Sequence, residues 1–358
     1  MWALDNRTPF AADRSWVRDR EGAEVWLVAV KGTFNINPDG STSIADEQAE
    51  VLLAAKYSGE PGKSSLLCDS DLPRTKLTTD VIVNGHAYAP GGEPTKTVTV
   101  SFRVGDLVKS LRVTGDRVWK GIGFVNWKSR CIPFVKMPIT YERSFGGMDL
   151  KSKNPKRHSW DTRNPVGTGF AKWRNRLIGQ RVPNVHAAGL KVPSLPGKSY
   201  PAGFGVIAGH WMSRVRLAGT CDAEWEKERA PLLPKDFDDR YYQSAPPDQQ
   251  TSEFLKGGEE VQLNNLTPSG ILAFKLPRVV LGFETDFAGE LVRHRCNLYT
   301  VILEPDVPRI MMVWHTALPC HSKVTKLRRT TIIQKKLLHR ATVDTPANQP
   351  EAKEEVIG

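Results

Sequence analysis

Cysteine is scarce and poorly placed for cross-linking: five residues, at 68, 131, 221, 296 and 320, with no C-x-x-C pair and an odd total. That excludes a disulfide-stapled secreted scaffold and predicts reduced, mostly buried thiols. Long apolar runs are missing as well. No stretch of 18 apolar residues occurs, and Met1–Arg7 carries charges where a signal peptide needs an apolar region, so a cytoplasmic protein with no membrane role is expected. There is no G-x-S-x-G elbow and no H-E-x-x-H helix, which leaves serine-hydrolase and zincin chemistry unsupported. No βαβ pattern surrounds the paired glycines, so a dinucleotide fold is excluded too. No internal repeat is visible.

What is present is an ordinary globular composition in a chain of 358 residues, 40% hydrophobic and 25% charged, enough to bury one or two cores. Glycine (29) and proline (25) are frequent, which favours many turns. Lysine and arginine (50) outnumber aspartate and glutamate (39), giving a formal charge of +11 and pointing to an acidic partner of unspecified kind.

Short β-type segments recur through residues 1–140: Glu24 to Phe34 before the turn Asn37-Pro38-Asp39-Gly40, Thr79 to Val83, Thr97 to Val104, Leu111 to Val113 and Val118-Trp119. Thr97 to Val104 alternates polar and apolar residues, as a strand with one wet face does. Residues 141–250 read as an irregular Pro/Gly-rich region packed on the sheets. Its basic excursion near 150–181 is opposed by little acid and is expected to be pinned by Trp160, Phe170 and Trp173. One short helix is predicted near 222–230, capped by Asp222 and closed before Pro231. Residues 251–322 return to β character, with Thr267-Pro268-Ser269-Gly270 as a turn. Residues 323–358 read as a basic segment and disordered tail. Lys323, Lys326, Arg328, Arg329, Lys335, Lys336 and Arg340 have no acidic neighbours along the chain; a partner could induce a basic amphipathic helix there, the favoured alternative being a solvated terminal strand or helix edge, and the segment is expected to be dispensable to the main fold. The fold class that follows is mainly β: a β-sandwich or barrel-like sheets with a long irregular, partly helical insertion.

Three clusters carry possible chemistry. The first is Tyr141, Glu142, Arg143, Gly146, Gly147 and Asp149, with Asn164 following in Arg163-Asn164-Pro165. It reads either as a backbone turn converging on a ligand or as a buried ion pair holding a loop, the latter being favoured. The second is Asp222, Trp225, Arg229, Asp236, Asp238, Arg240 and Asp248. Its carboxylates could serve a hydrolase, but the favoured reading has them capping turns and pairing with Arg229 and Arg240. The third comprises His294, Cys296, His315, Cys320 and His321, whose spacing is looser than zinc sites show. No catalytic residue, metal or cofactor is assigned from these clusters. The basic excursion with its interleaved tryptophans would also suit single-stranded nucleic acid, the less favoured partner.

Many separated segments, in one order, resemble a bacterial family of unknown-function domains encoded in type VI secretion clusters beside VgrG spike and PAAR-type effector genes. The likeness runs from about residue 6 to about 320 and rests on Asn6-Arg7-Thr8-Pro9-Phe10, Val30 to Phe34, Thr79-Asp80-Val81, Asn84-Gly85-His86-Ala87 and Gly115 to Trp119. Farther along it includes Tyr141-Glu142-Arg143, Phe145-Gly146-Gly147, Arg163-Asn164-Pro165, Gly203-Phe204-Gly205, Ala218-Gly219-Thr220 and the run from Asp236 to Gln249. Ser144, Val206 and Cys221 stand where alanine, proline and tyrosine are usual. The resemblance implies an adaptor or chaperone, not an enzyme, that loads an effector protein onto the VgrG spike. It carries no catalytic residues over.

Overall fold

The strand Glu24–Ile36 is buried almost throughout, because the sheet that holds it is covered on both faces. In the computed structural model, which describes residues 2–122, 125–189, 199–321 and 323–335, that sheet has the order Ala11–Arg18, Glu24–Ile36, Arg309–Pro319, Asn297–Glu304 and Asp80–Val83, with Thr42–Ile44 paired to one end. Alternate side chains go to opposite faces. Val81, Val83, Val301, Leu303, Ile310 and Met312 point into the main core, while Ile82, Ile302 and Met311 join a second cluster on the other side.

The main core is closed by two further sheets. One orders Val185–Ala187, Leu107–Thr114, Thr97–Val104, Glu260–Asn264 and Ile271–Lys275; the other orders Ala3–Arg7, Leu327–Lys335, Val280–Phe287 and Glu290–His294. The second cluster is covered by the irregular stretch through Tyr141, Val206, Ala208, Trp211 and Ala245. The fold is mainly β, with several sheets and no closed barrel. Strands from both ends of the chain share sheets, since Glu24–Ile36 lies against Arg309–Pro319.

Among the described residues two short α-helices occur, Met212–Val215 and Ala223–Glu228. The second forms where its cap predicts, with the Asp222 carboxylate accepting from the Trp225 amide at 2.9 Å. Gly32 shows why a side chain is excluded inside a central strand: an added Cβ would lie 2.9–3.1 Å from the rings of Phe34, Trp314 and Phe10.

The basic C-terminal segment differs from its prediction. Leu327–Lys335 is an interior strand, neither a helix nor a solvated edge, and sits between Ala3–Arg7 and Val280–Phe287 with Leu327, Thr330 and Ile332 fully buried. Its acidic partners come from other strands. Arg329 lies opposite Asp286, and Lys323 pairs with Glu290 at 2.9 Å. Residues 336–358, including Lys336, Arg340 and the predicted tail, lie outside the described residues. Trp160 and Trp173 pin nothing down either, being 52% and 59% exposed.

Candidate functional site

The segments around Tyr141 and Asn164 form the two halves of one backbone knot. The Asn164 side-chain amide donates to the carbonyls of Tyr141 (2.8 Å) and Phe145 (3.0 Å), and its own carbonyl accepts from the Gly147 amide at 2.8 Å. This close approach dictates the glycine pair: a Cβ on Gly146 would fall 2.1 Å from the Asn164 carbonyl oxygen, and one on Gly147 2.4 Å from that of Gly167. Ser144 is buried and accepts from the Ala202 amide at 2.7 Å, an anchor to the next segment that alanine would not supply.

The charges of this region are paired differently from the sequence reading. Arg143 donates to Asp116 at 3.0 Å and to the Asn184 side chain at 3.1 Å. Because the Asp116 side chain is 52% exposed, removing Arg143 strands no buried charge. The buried carboxylate is Asp149, which pairs with Arg176 at 3.1 Å. Burial alone would raise its pKa, but the Lys172 amide, Arg176 and the Lys151 amide outweigh it and hold the carboxyl below the usual range. Glu142 pairs with neither neighbour. It accepts from the Ser65 amide (2.6 Å) and hydroxyl (2.9 Å), so its pKa is also lowered despite burial.

The carboxylates from 222 to 248 do not converge. Asp222 caps its helix, Asp236 accepts from the Thr220 amide and hydroxyl, Asp238 caps the turn Asp239–Tyr242 and pairs with Arg240, and Asp248 pairs with Lys109. Arg229 binds no aspartate; it donates to the carbonyls of Leu233 and Arg20, while Trp225 donates to Leu232. Capping and the pairing with Arg240 therefore hold for Asp222 and Asp238, whereas Asp236 and Asp248 find partners far along the chain and Arg229 pairs with none of the four.

Four separated motif segments instead meet at a cleft of ≈ 640 Å³. Tyr141, Arg163, Gly203 and Asp248 line it, together with Lys109 from the strand Leu107–Thr114 and the exposed Tyr200. Gly203 leaves room for the Tyr141 ring, whose centre also meets Trp211 edge-on at 5.1 Å. Burial drives the Tyr141 hydroxyl pKa up, so it stays protonated. The guanidinium of Arg163 is held by Asp161 and lies 4.9 Å over the Tyr200 ring. The Lys109 ammonium reaches Asp248 at 2.7 Å and the Gln249 side chain at 2.8 Å, and its burial lowers its pKa. Gln249 in turn donates to the carbonyls of Val81 and Phe204. Lys109 and Tyr200 are cleft residues that the sequence reading did not pick out, as it did not the buried Gln249 that holds Lys109. A lone lysine in a half-wet strand gives no signal, while Gln249 stood at the end of a motif run.

Such a cleft, with apolar walls and a few fixed polar groups, can recognise a ligand or a peptide segment. Among the described lining residues no histidine or cysteine stands beside a hydroxyl. A second cleft, of ≈ 490 Å³, holds Arg74, Arg214, Tyr241 and Tyr242, with its arginines paired to Asp239 and Asp69.

The third cluster does not assemble. Among the described residues no group of three or more His, Cys, Asp or Glu side chains could hold a metal ion. His294 bonds Thr285 and Thr316, and His315 stacks on Tyr299 at 4.5 Å. Cys296 is pushed up to about 12 by burial, Cys320 is buried, and His321 is exposed. All five cysteines are free.

These histidines set an acid limit. Burial pushes His186 and His294 down to about 4 and His315 to about 3, against a value near 6.5 in the unfolded chain. Between those values the unfolded chain binds protons that the folded one refuses. Stability is therefore undiminished above pH ~6.5 and lost as pH falls toward 4, at about 1.4 kcal/mol per pH unit per histidine. The melting temperature should drop steeply across that window; an unchanged value from pH 7 to pH 4.5 would disprove the buried neutral state.

A mainly β protein with a cleft lined by the motif segments is the class these observations define. Residues 21–315 match the model of a family described as an uncharacterized protein conserved in bacteria (DUF2169), and the chain belongs to that family. No curated protein and no solved structure matches it. Among the described residues no helix is long and apolar enough to cross a membrane.

Proposed function

We propose that the protein is a cytoplasmic adaptor or chaperone of a type VI secretion system, which receives an effector protein in the 640 Å³ cleft and assists its loading onto the VgrG spike. The observation that carries this reading is the convergence of four motif segments, spread from 141 to 248, on one open cleft. Other motif residues are engaged in buried contacts: Asn164 holds the knot, and Asp80, Gln243 and Gln249 tie strands to the irregular stretch. Residues so engaged preserve the shape of a binding surface. The link to effector and spike comes from the motif resemblance. A hydrolase at residues 222–248 has no support in the geometry, since its carboxylates serve four separate partners.

The test is coexpression with the product of a neighbouring effector gene. Soluble effector should rise several-fold, because covering apolar client surface suppresses aggregation. Tyr200→Ala should weaken the pull-down while leaving the melting temperature unchanged, as that ring is exposed. In a deletion strain effector secretion should stop while the tail-tube protein is still secreted. Unchanged yield together with no pull-down would overturn the reading.

A further inference from the structure

A second surface stands apart from the cleft. Strands Trp119–Ile122 and Val125–Lys128 pair as a hairpin in which Ile122 lies opposite Val125 and Lys120 opposite Trp127. Alternation puts these four on one face and Trp119, Gly121, Asn126 and Lys128 on the other. The inner face is anchored: Trp119 packs with Leu177, Ala171 and Val182, Lys128 lies 5.3 Å over the Trp119 ring, and Asn126 donates to the Arg174 carbonyl. The outer face is bare. Ile122 is 78% and Val125 69% exposed, and Trp127 is exposed beside them. Single exposed apolar residues are normal, but three together on one face of a strand pair anchored by its other face suit an interaction site.

The surroundings specify the partner's charge. The turn Arg174–Leu177 packs under the inner face of the hairpin, and Asp149 and Lys151 bind Arg176 on that turn, so the basic excursion lies against the hairpin. Between Arg117 and Arg181 the sequence has fifteen lysines and arginines and three acids, which accounts for the chain's whole net charge of +11. Those three acids are engaged internally: Glu142 by Ser65, Asp149 by Arg176 and Asp161 by Arg163. The net field around the hairpin is therefore positive.

We infer that the outer face of this hairpin docks an acidic amphipathic segment of a partner protein, with Ile122, Val125 and Trp127 taking its apolar side chains and Lys120, on the same face, a carboxylate. The aliphatic pair at the hairpin end favours a polypeptide over nucleic acid, whose bases would use aromatic platforms alone. The inference does not depend on the cleft or on the adaptor reading.

The probe is a fluorescein-labelled sixteen-residue peptide alternating glutamate with leucine and phenylalanine, titrated against the full chain by anisotropy. A glutamine-for-glutamate peptide and a twenty-residue oligo-dT serve as comparisons. Binding at about 50 mM salt is expected, weakened roughly tenfold or more by Ile122→Ser with Trp127→Ser and by the glutamine peptide, and several-fold by Lys120→Glu. Because the substituted side chains face solvent, each variant should keep the wild-type melting temperature. Absence of binding, or equal binding by the Ile122→Ser/Trp127→Ser variant, would overturn the inference, the latter showing charge attraction without docking. Tighter binding of oligo-dT, lost in the same variants, would overturn it in favour of nucleic acid.

Discussion

Truncation after Pro319 should abolish the folded protein. The deleted strand Leu327–Lys335 lies inside its sheet, hydrogen-bonded on one side to Ala3–Arg7 and on the other to Val280–Phe287. Its loss would leave two bare edges over the core and uncover Phe283 and Phe287. It would also strand the Trp26 indole, which donates to Thr330 at 3.0 Å, and the Thr285 hydroxyl paired with Thr330. Leu327 and Ile332 alone each contribute about 1.5–3 kcal/mol of apolar burial, against a net stability of about 5–15 kcal/mol for a typical domain. Soluble yield and the cooperativity of thermal unfolding read the outcome. A truncated chain that melts cooperatively at the wild-type temperature would show that the strand is dispensable. Ile332→Asp should be nearly as severe, since it places an unpaired charge in the same layer.

Asp80→Ala should cost about 3–5 kcal/mol, the usual penalty for leaving one partner of a buried ion pair alone. Asp80 and Lys76 are both buried, and Lys76 donates to the Asp80 carboxylate and to the Thr300 hydroxyl. The same carboxylate accepts from the Gln243 side chain at 2.8 Å and from the Ser244 amide at 2.7 Å. One deletion thus removes the counter-charge of a buried ammonium and releases the irregular stretch from the six-stranded sheet. The shift of the denaturant midpoint measures it. Replacing both charges, Lys76→Met with Asp80→Leu, should recover much of the loss, because desolvation of the pair disappears with it. A single variant within 1 kcal/mol of wild type would show that the pair is not a structural tie.

Local signals read from the chain were correct where the cause was local. The strand Thr97–Val104 appears as its alternation predicts, with Val98, Val100, Phe102 and Val104 buried and Thr97, Thr99 and Arg103 exposed. The turn at Thr267–Gly270 closes through the Gly270 amide on the Thr267 carbonyl, with φ +83° at Gly270. Asp222 and Asp238 are caps whose partners lie within three residues. The strands Ala11–Arg18 and Val280–Phe287 were not legible, because polar residues on their wetter faces blur the apolar pattern and only a paired neighbour defines them.

What the sequence determined by itself was therefore the β class, the turns and caps, the excess of positive charge, and the motif segments that mark the family. The tertiary structure alone decided which charges meet. Arg143 finds Asp116 and not its neighbour Glu142, Asp149 finds Arg176, and Lys323 finds Glu290, more than thirty residues away along the chain. It alone also decided that Tyr141, Arg163, Gly203 and Asp248 share one cleft, and that the hairpin face bearing Trp127 is left uncovered. The reason is range. Turns and caps are settled by dihedral preferences and hydrogen bonds over a few residues. Ion pairs and clefts depend on strand pairing between residues 27 to 300 positions apart, which no local pattern encodes.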